Sequence, residues 1–148
     1  MLKGIDPILT PELLMHLCAM GHGEWVAVVD ANFTAEYLSQ GKPVVRLPGL
    51  SLQRVSQAVL SVFPLASDVP HPVAYMQVTG NAHGHRTAAQ ESVVNLVIEQ
   101  GMQSQQVQVQ ALERFAFYDK VKAASLIVQT GEVTAFGNAL FCKGVILL

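Results

Sequence analysis

Trp25-Val26-Ala27-Val28-Val29 is an unbroken apolar run, and it constrains the fold more than any other segment. A strand with one wet face alternates apolar and polar residues. An unbroken run marks a strand buried on both faces. Such a strand needs helices on both sides, and the chain supplies them. Thr10-Pro11-Glu12 reads as a helix start, with an N-cap hydroxyl, proline at the first position and an early acid. Leu13, Leu14, Leu17 and Met20 follow at helical spacing, and Gly21 supplies the stop. Ser51 caps a second helix with Leu52, Val55, Val59 and Val62 on its core face, closed by Pro64. Thr87 and Gln90 form a capping-box pair ahead of Val93, Val94, Val97 and Ile98, with Gly101 as the end. A further helix runs from about Glu113 to Ala123.

Strands fill the intervals. Pro43 to Leu47 is short and closed by Pro48-Gly49, Val73 to Val78 is another, and Leu126-Ile127-Val128 is buried. The glutamine-rich stretch to Gln110 alternates through Val107 and Val109 like an edge strand. Ala139 to Cys142 begins a last strand, continued after Lys143-Gly144 by Val145-Ile146-Leu147-Leu148. Ala31-Asn32-Phe33-Thr34 begins a loop, and Gly80 to His85 reads as another. The alternation predicts an α/β fold: a compact layered domain with a central sheet and flanking helices, over residues 1–148.

Charged residues make up only 14% of the chain against 51% hydrophobic, where about 25% charged is usual. The shortage predicts that some surface is covered, as in a homo-oligomer. A net charge of −2 with scattered basic residues argues against nucleic acid as a partner. Membrane spans need about 20 apolar residues in a row, and no run approaches that, so no membrane partner is expected. The start, Met1 to Pro7, lacks a signal-peptide pattern, and Cys18 and Cys142 lack framework spacing. The expectation is a cytoplasmic protein with both thiols reduced and in the core.

Few residues are candidates for chemistry. His22 lies between Gly21 and Gly23, uncrowded, with an imidazole suited to proton transfer; it is equally readable as a loop histidine. Asp30 ends the buried strand, as a catalytic carboxylate or as a turn residue. Both are expected at loops around the carboxyl ends of strands, where open α/β sheets hold ligands. Together they make an acid/base pair. Arg114 and Tyr118 are four apart on one helix face, either as donor and proton relay or as a salt-bridging arginine beside a packed ring. In Phe136-Gly137-Asn138, the Asn138 amide can pair with a hydroxyl or simply make a turn. His83-Gly84-His85, with His71 upstream, is a weak metal pattern without helical spacing. Phosphate-cradling motifs and a nucleophile elbow are absent, so hydride and phosphoryl transfer lose support.

Several ordered segments resemble a known family. Met1-Leu2-Lys3 with Ile5, Pro7 and Leu9, then Pro11-Glu12-Leu13-Leu14 and Met20-Gly21-His22-Gly23, closely resemble the start of bacterial L-fucose mutarotases. Asp30-Ala31-Asn32-Phe33, Arg114-Phe115-Ala116-Phe117-Tyr118, Thr130-Gly131-Glu132, Gly137-Asn138 and Lys143-Gly144-Val145 are similar to later motifs of that family. The wider family includes D-ribose pyranase, whose position matching Arg114 looks more like histidine. The resemblance implies a small α/β subunit in a ring-shaped homo-oligomer, commonly a decamer, with sites near subunit contacts. It implies a monosaccharide substrate, no cofactor and no metal, with His22 as acid/base and Asp30, Arg114 and Asn138 as sugar contacts. Tyr118 is then a second proton relay, and Phe136 with Gly137 completes the sugar site. Phe136 stands where the family usually has tyrosine, so a ring face remains without its hydroxyl. The His83 to Arg86 loop also departs from the family's acidic, polar stretch. Two rivals stand beside this reading: a non-catalytic monosaccharide-binding or regulatory protein, and a metal enzyme using His22, His83 and His85.

Overall fold

The computed structural model describes residues 2–99 and 109–147. Within them a six-stranded mixed sheet contains β1 (Trp25–Val29), β2 (Val44–Leu47), β3 (Val73–Met76), β4 (Val109–Leu112), β5 (Leu126–Thr130) and β6 (Ala139–Cys142). Their order across the sheet is β2-β5-β1-β6-β3-β4. β1 pairs in parallel with β5, β5 with β2, and β3 with β4. Among the described strands β6 alone runs the other way, antiparallel to β1 and β3. The beginning of β6 therefore sits at the same edge as the ends of β1 and β3.

Side chains alternate between the faces of a strand, and β1 shows why its run is unbroken. Val26 and Val28 join Leu13 and Leu17 of α1 (Pro11–Ala19), Val55 and Val59 of α3 (Leu52–Leu60), and Val93 and Val97 of α4 (Ala88–Glu99). Ala27 and Val29 join Leu38 of α2 (Ala35–Ser39) and Phe117 and Val121 of α5 (Arg114–Ala123) on the opposite face. The expected layered α/β domain is what forms.

The helix starts follow the caps. Thr10 Oγ1 accepts from the Leu13 N–H at 3.2 Å, with Pro11 in the first turn. Ser51 Oγ accepts from the Arg54 N–H at 3.2 Å. Thr87 and Gln90 form their box, and the Glu113 carboxylate accepts from the Phe115 and Ala116 N–H groups at the start of α5. The half-exposed edge strand is β4, at the end of the sheet. Gly101, Val107 and Leu148, singled out in the sequence, lie outside the described residues.

Three expectations need correction. The segment after Thr34 is not all loop, because a short helix, α2, follows. Its five residues carry too little periodicity to read from sequence. The last strand does not resume after Gly144. Lys143 bridges Leu65, and the Gly144 N–H donates to Pro64 O at 2.7 Å. Those bonds divert the backbone from the sheet, and Val145, Ile146 and Leu147 are exposed. Cys142 is buried, whereas Cys18 is exposed. It follows the buried Leu17 by one position, about 100° around the helix.

The ends of β2 and β5 meet at Gly131. Its N–H donates to Leu50 O at 2.8 Å, and a Cβ there would lie 2.3 Å from Gly49 N and 2.8 Å from Gly49 Cα. Backbone cannot yield as a flexible side chain does. Gly131→Ala should therefore lose about 1–3 kcal/mol of stability, read from urea unfolding against the wild type. An unchanged midpoint would contradict this account of the crossing.

Candidate active site

A cleft of about 660 Å³ opens at the carboxyl ends of β1 and β3, the edge where open α/β sheets hold ligands. Asp30, Asn138, Met76, Phe136, Arg114 and Tyr118 line it, with Asn32, Thr34 and Tyr37 from the loop and helix after β1. Asp30 follows β1, and Asn138 precedes β6. Because β6 runs antiparallel, the two meet. The Asp30 N–H donates to Asn138 Oδ1 at 2.9 Å, and Asn138 Nδ2 donates to Asp30 Oδ2 at 2.9 Å. Asp30 Oδ1 accepts from the Asn32 N–H at 2.9 Å. Both side chains are buried.

Burial pushes the Asp30 carboxyl above its ordinary value, against hydrogen bonds from Asn138, Asn32 and Phe33 that stabilise its charge. The neighbouring Glu132 carboxylate adds to the upward push. A carboxyl held up by desolvation in a cleft is a recurrent mark of functional sites. Asn138 uses both its amide atoms on Asp30, so its first task is to hold that carboxylate.

Arg114 opens α5, and its Nε donates to Tyr118 Oη at 2.9 Å, four residues along the helix. Its charge also lies over the Tyr118 ring, 5.4 Å from the centroid. Among the described residues the guanidinium makes no salt bridge. Its terminal nitrogens remain available to a ligand. Phe33 packs edge-on against Tyr118 at 5.6 Å and against Phe117 at 6.1 Å, fixing the phenol. Tyr37 and Phe115 line the cleft yet are 79% and 68% exposed. Neither was anticipated as a site residue. Tyr37 lies in the helix the sequence hid, and Phe115 is one position from Arg114 in a motif already in view.

Phe136 lies on the cleft and packs partly against the core cluster of α2 and α5. Its φ is +64°, a left-handed backbone rare for an aromatic residue. Such conformations cost about 1–3 kcal/mol and persist where surroundings impose them. Gly137 must be glycine for another reason. A Cβ there would meet Thr134 O and the Glu132 side chain, each at 2.9 Å.

His22 is not in this cleft. It sits in the turn before β1, at the amino end of the strand whose carboxyl end carries Asp30. The five residues of β1 alone span about 17 Å. The expectation that both groups sit at carboxyl ends therefore holds for Asp30 and not for His22. A helix-to-strand turn enters a strand at its amino end, so the two groups of one chain cannot share a substrate. The turn itself is well held. The Glu24 carboxylate accepts from the Gly21 N–H and from Ser125 Oγ, and the Gly23 N–H, at φ +81°, donates to Lys143 O. His22 Nε2 lies 3.0 Å from Asp68 Oδ1, a partner the sequence did not suggest. That contact holds the Asp68 carboxyl below its ordinary value. The His83-Gly84-His85 loop is exposed. Among the described residues no group of three or more His, Cys, Asp or Glu side chains converges as a metal site would require. None of the described helices is long and apolar enough to cross a membrane.

The profile of the RbsD / FucU transport protein family matches residues 3–146. The chain belongs to the RbsD/FucU family. A fucose mutarotase of Mus musculus is 36% identical over 146 residues, covering 97% of this chain and 94% of that protein. An L-fucose mutarotase of Glaesserella parasuis is 37% identical over 147 residues, covering 98% and 96%. Among solved structures of this fold, the fucose mutarotase of Streptococcus pneumoniae in complex with L-fucose superposes with a TM-score of 0.84. It shares 29% identity and covers 99% of this chain and all of that one. This RbsD/FucU chain thus shares both sequence and layered fold with those relatives over nearly full length.

The raised Asp30 carboxyl has a consequence for stability. The unfolded chain gives up this proton at lower pH than the folded one. Asp30 therefore contributes most where it is protonated in both states. That contribution falls as pH climbs from the ordinary carboxylate value through the raised folded value, and stays low above it. Urea unfolding of wild type and Asp30→Asn over a pH series should show the difference moving in favour of Asn as pH rises. A difference independent of pH would mean that the carboxyl is not raised.

Proposed function

We propose that the protein is a cofactor-independent mutarotase that interconverts the anomers of L-fucose or a related monosaccharide. One observation carries the reading: a cleft of about 660 Å³, roomy enough for a monosaccharide, in which a buried carboxylate, a phenol and an arginine without a salt bridge among the described residues converge. The names of the relatives point the same way.

Mutarotation requires removal of the anomeric hydroxyl proton and protonation of the ring oxygen. The bond between the anomeric carbon and ring oxygen breaks, the open-chain aldehyde rotates, and the ring recloses on the other face. Asp30 is suited to accept a hydroxyl hydrogen bond, and Arg114 to donate to neighbouring oxygens. Phe136 offers a ring face to the sugar, with Gly137 and Asn138 framing it. Tyr118, with its oxygen bonded by Arg114, is a proton relay. His22 is the acid/base group, its imidazole able both to give and to take a proton. It lies at the far end of β1, so its part in the reaction requires a second copy of the chain against the cleft. The exposed aromatic rim of Tyr37 and Phe115 gives such a copy an apolar surface to cover. A ring-shaped homo-oligomer, a decamer by family resemblance, satisfies that requirement. The non-catalytic sugar-binding reading is favoured by one feature, the missing hydroxyl at Phe136.

Saturation-transfer NMR on L-fucose, D-ribose and related sugars separates the two. Wild-type protein should speed anomer exchange of L-fucose, and should still do so in excess chelator. Sugar binding without faster exchange would favour the non-catalytic reading. His22→Ala should lower the acceleration by about 10²–10⁴-fold with the fold retained.

Mixing tests the shared site. His22→Ala and Asp30→Asn subunits, unfolded and refolded together, should recover activity that neither shows alone. Light scattering should return a mass well above the 16.0 kDa of one chain. A monomer, or a mixture as inactive as its parts, would rule out a site built from two copies.

A further inference from the structure

Gln90 is 1% exposed and does not touch the cleft. Its Oε1 accepts from the Thr87 N–H at 2.9 Å, and Thr87 Oγ1 accepts from the Gln90 N–H at 3.3 Å. That is the capping box, and glutamate would serve it equally. The amide nitrogen does something the box does not require. Nε2 donates to Met76 O at 2.7 Å and to Phe136 O at 2.6 Å, so both its hydrogens are engaged.

Met76 and Phe136 both line the cleft. One carboxamide therefore ties the start of α4 to the end of β3 and to the turn ahead of β6. Phe136 O also accepts from the Asn138 N–H at 2.7 Å. The tether thus grips the same turn that sets Asn138 against Asp30. It acts at the residue whose backbone is left-handed and needs holding.

We propose that Gln90 is a positioning residue of the sugar site, fixing the Phe136 ring and the Asn138–Asp30 pair through its amide nitrogen. The proposal rests on the mutarotase reading, and it assigns Gln90 no contact with substrate. A group placed this way acts on how well the sugar is held, because one hydrogen bond lost or displaced at a binding group costs up to roughly tenfold in affinity.

Three variants of the full chain separate the tether from the helix cap. Gln90→Glu keeps the acceptor of the box and replaces the donor by oxygen. Gln90→Met removes both. Thr87→Ala weakens the box and leaves the tether. L-fucose affinity and anomer exchange are read by NMR, and stability by urea unfolding. Gln90→Glu and Gln90→Met should weaken sugar affinity by roughly tenfold, with a smaller change in the rate at saturation. Thr87→Ala should lose stability with affinity near that of the wild type. A folded Gln90→Glu protein with wild-type affinity would overturn the proposal. So would equal losses of affinity in Thr87→Ala and Gln90→Met at matched stability, a comparison that decides even if Gln90→Glu does not fold. Wild-type protein that binds L-fucose without speeding exchange would end the mutarotase reading, while the affinity comparison still judges Gln90. Wild-type protein that neither binds nor exchanges the sugars would end both.

Discussion

The reciprocal pair between Asp30 and Asn138 joins the end of one central strand to the start of its antiparallel neighbour. Each of its hydrogen bonds involves groups withdrawn from water, and bonds to a charged partner contribute about 1.5–3 kcal/mol each. The cost of burying the carboxylate opposes them, as its raised pKa records. The pair does more than balance that cost. It fixes the loop after β1 through the Asn32 N–H, and it fixes the turn before β6 through Asn138. Gln129 adds to this from β5, its Nε2 donating to Ala31 O and Phe33 O. The cleft is what remains between segments pinned in this way.

The direction of β6 makes the arrangement possible. In a wholly parallel sheet the edge at the carboxyl ends of the strands receives only strand ends. One reversed strand in the middle delivers a strand beginning to that edge as well. The same reversal sends Cys142 and Lys143 to the far edge, where Lys143 supports the His22 turn. The two ends of β6 thus organise two separate groups of polar residues, one with Asp30 and one with His22.

Most of the fold was legible because its elements carry strong local signals. Thr10-Pro11, Ser51 and the Thr87–Gln90 pair mark helix starts, and the β1 run marks the centre of the sheet. α2 was hidden by its length, and the fate of residues 144–147 was hidden by a tertiary bond from Gly144 to Pro64. Within the cleft, the i, i+4 spacing of Arg114 and Tyr118 placed them on one helix face in advance, though not their hydrogen bond. The Asp30–Asn138 contact spans 108 residues, and no local pattern encodes it. His22 was misplaced for another reason. Residue type and glycine neighbours suggested its chemistry, yet it precedes β1 and Asp30 follows it, so chain order alone already set the two at opposite ends of the strand.

Position 136 passes through two independent filters. The backbone filter, set by φ +64°, admits glycine freely and asparagine readily, and penalises β-branched side chains most. The cleft filter asks for a flat apolar face beside a buried carboxylate. Few side chains satisfy both, and those that fit the backbone best are those that offer no ring. A sequence drifting at this position therefore has little neutral ground: what relaxes the chain empties the pocket wall, and what keeps the wall keeps the strain.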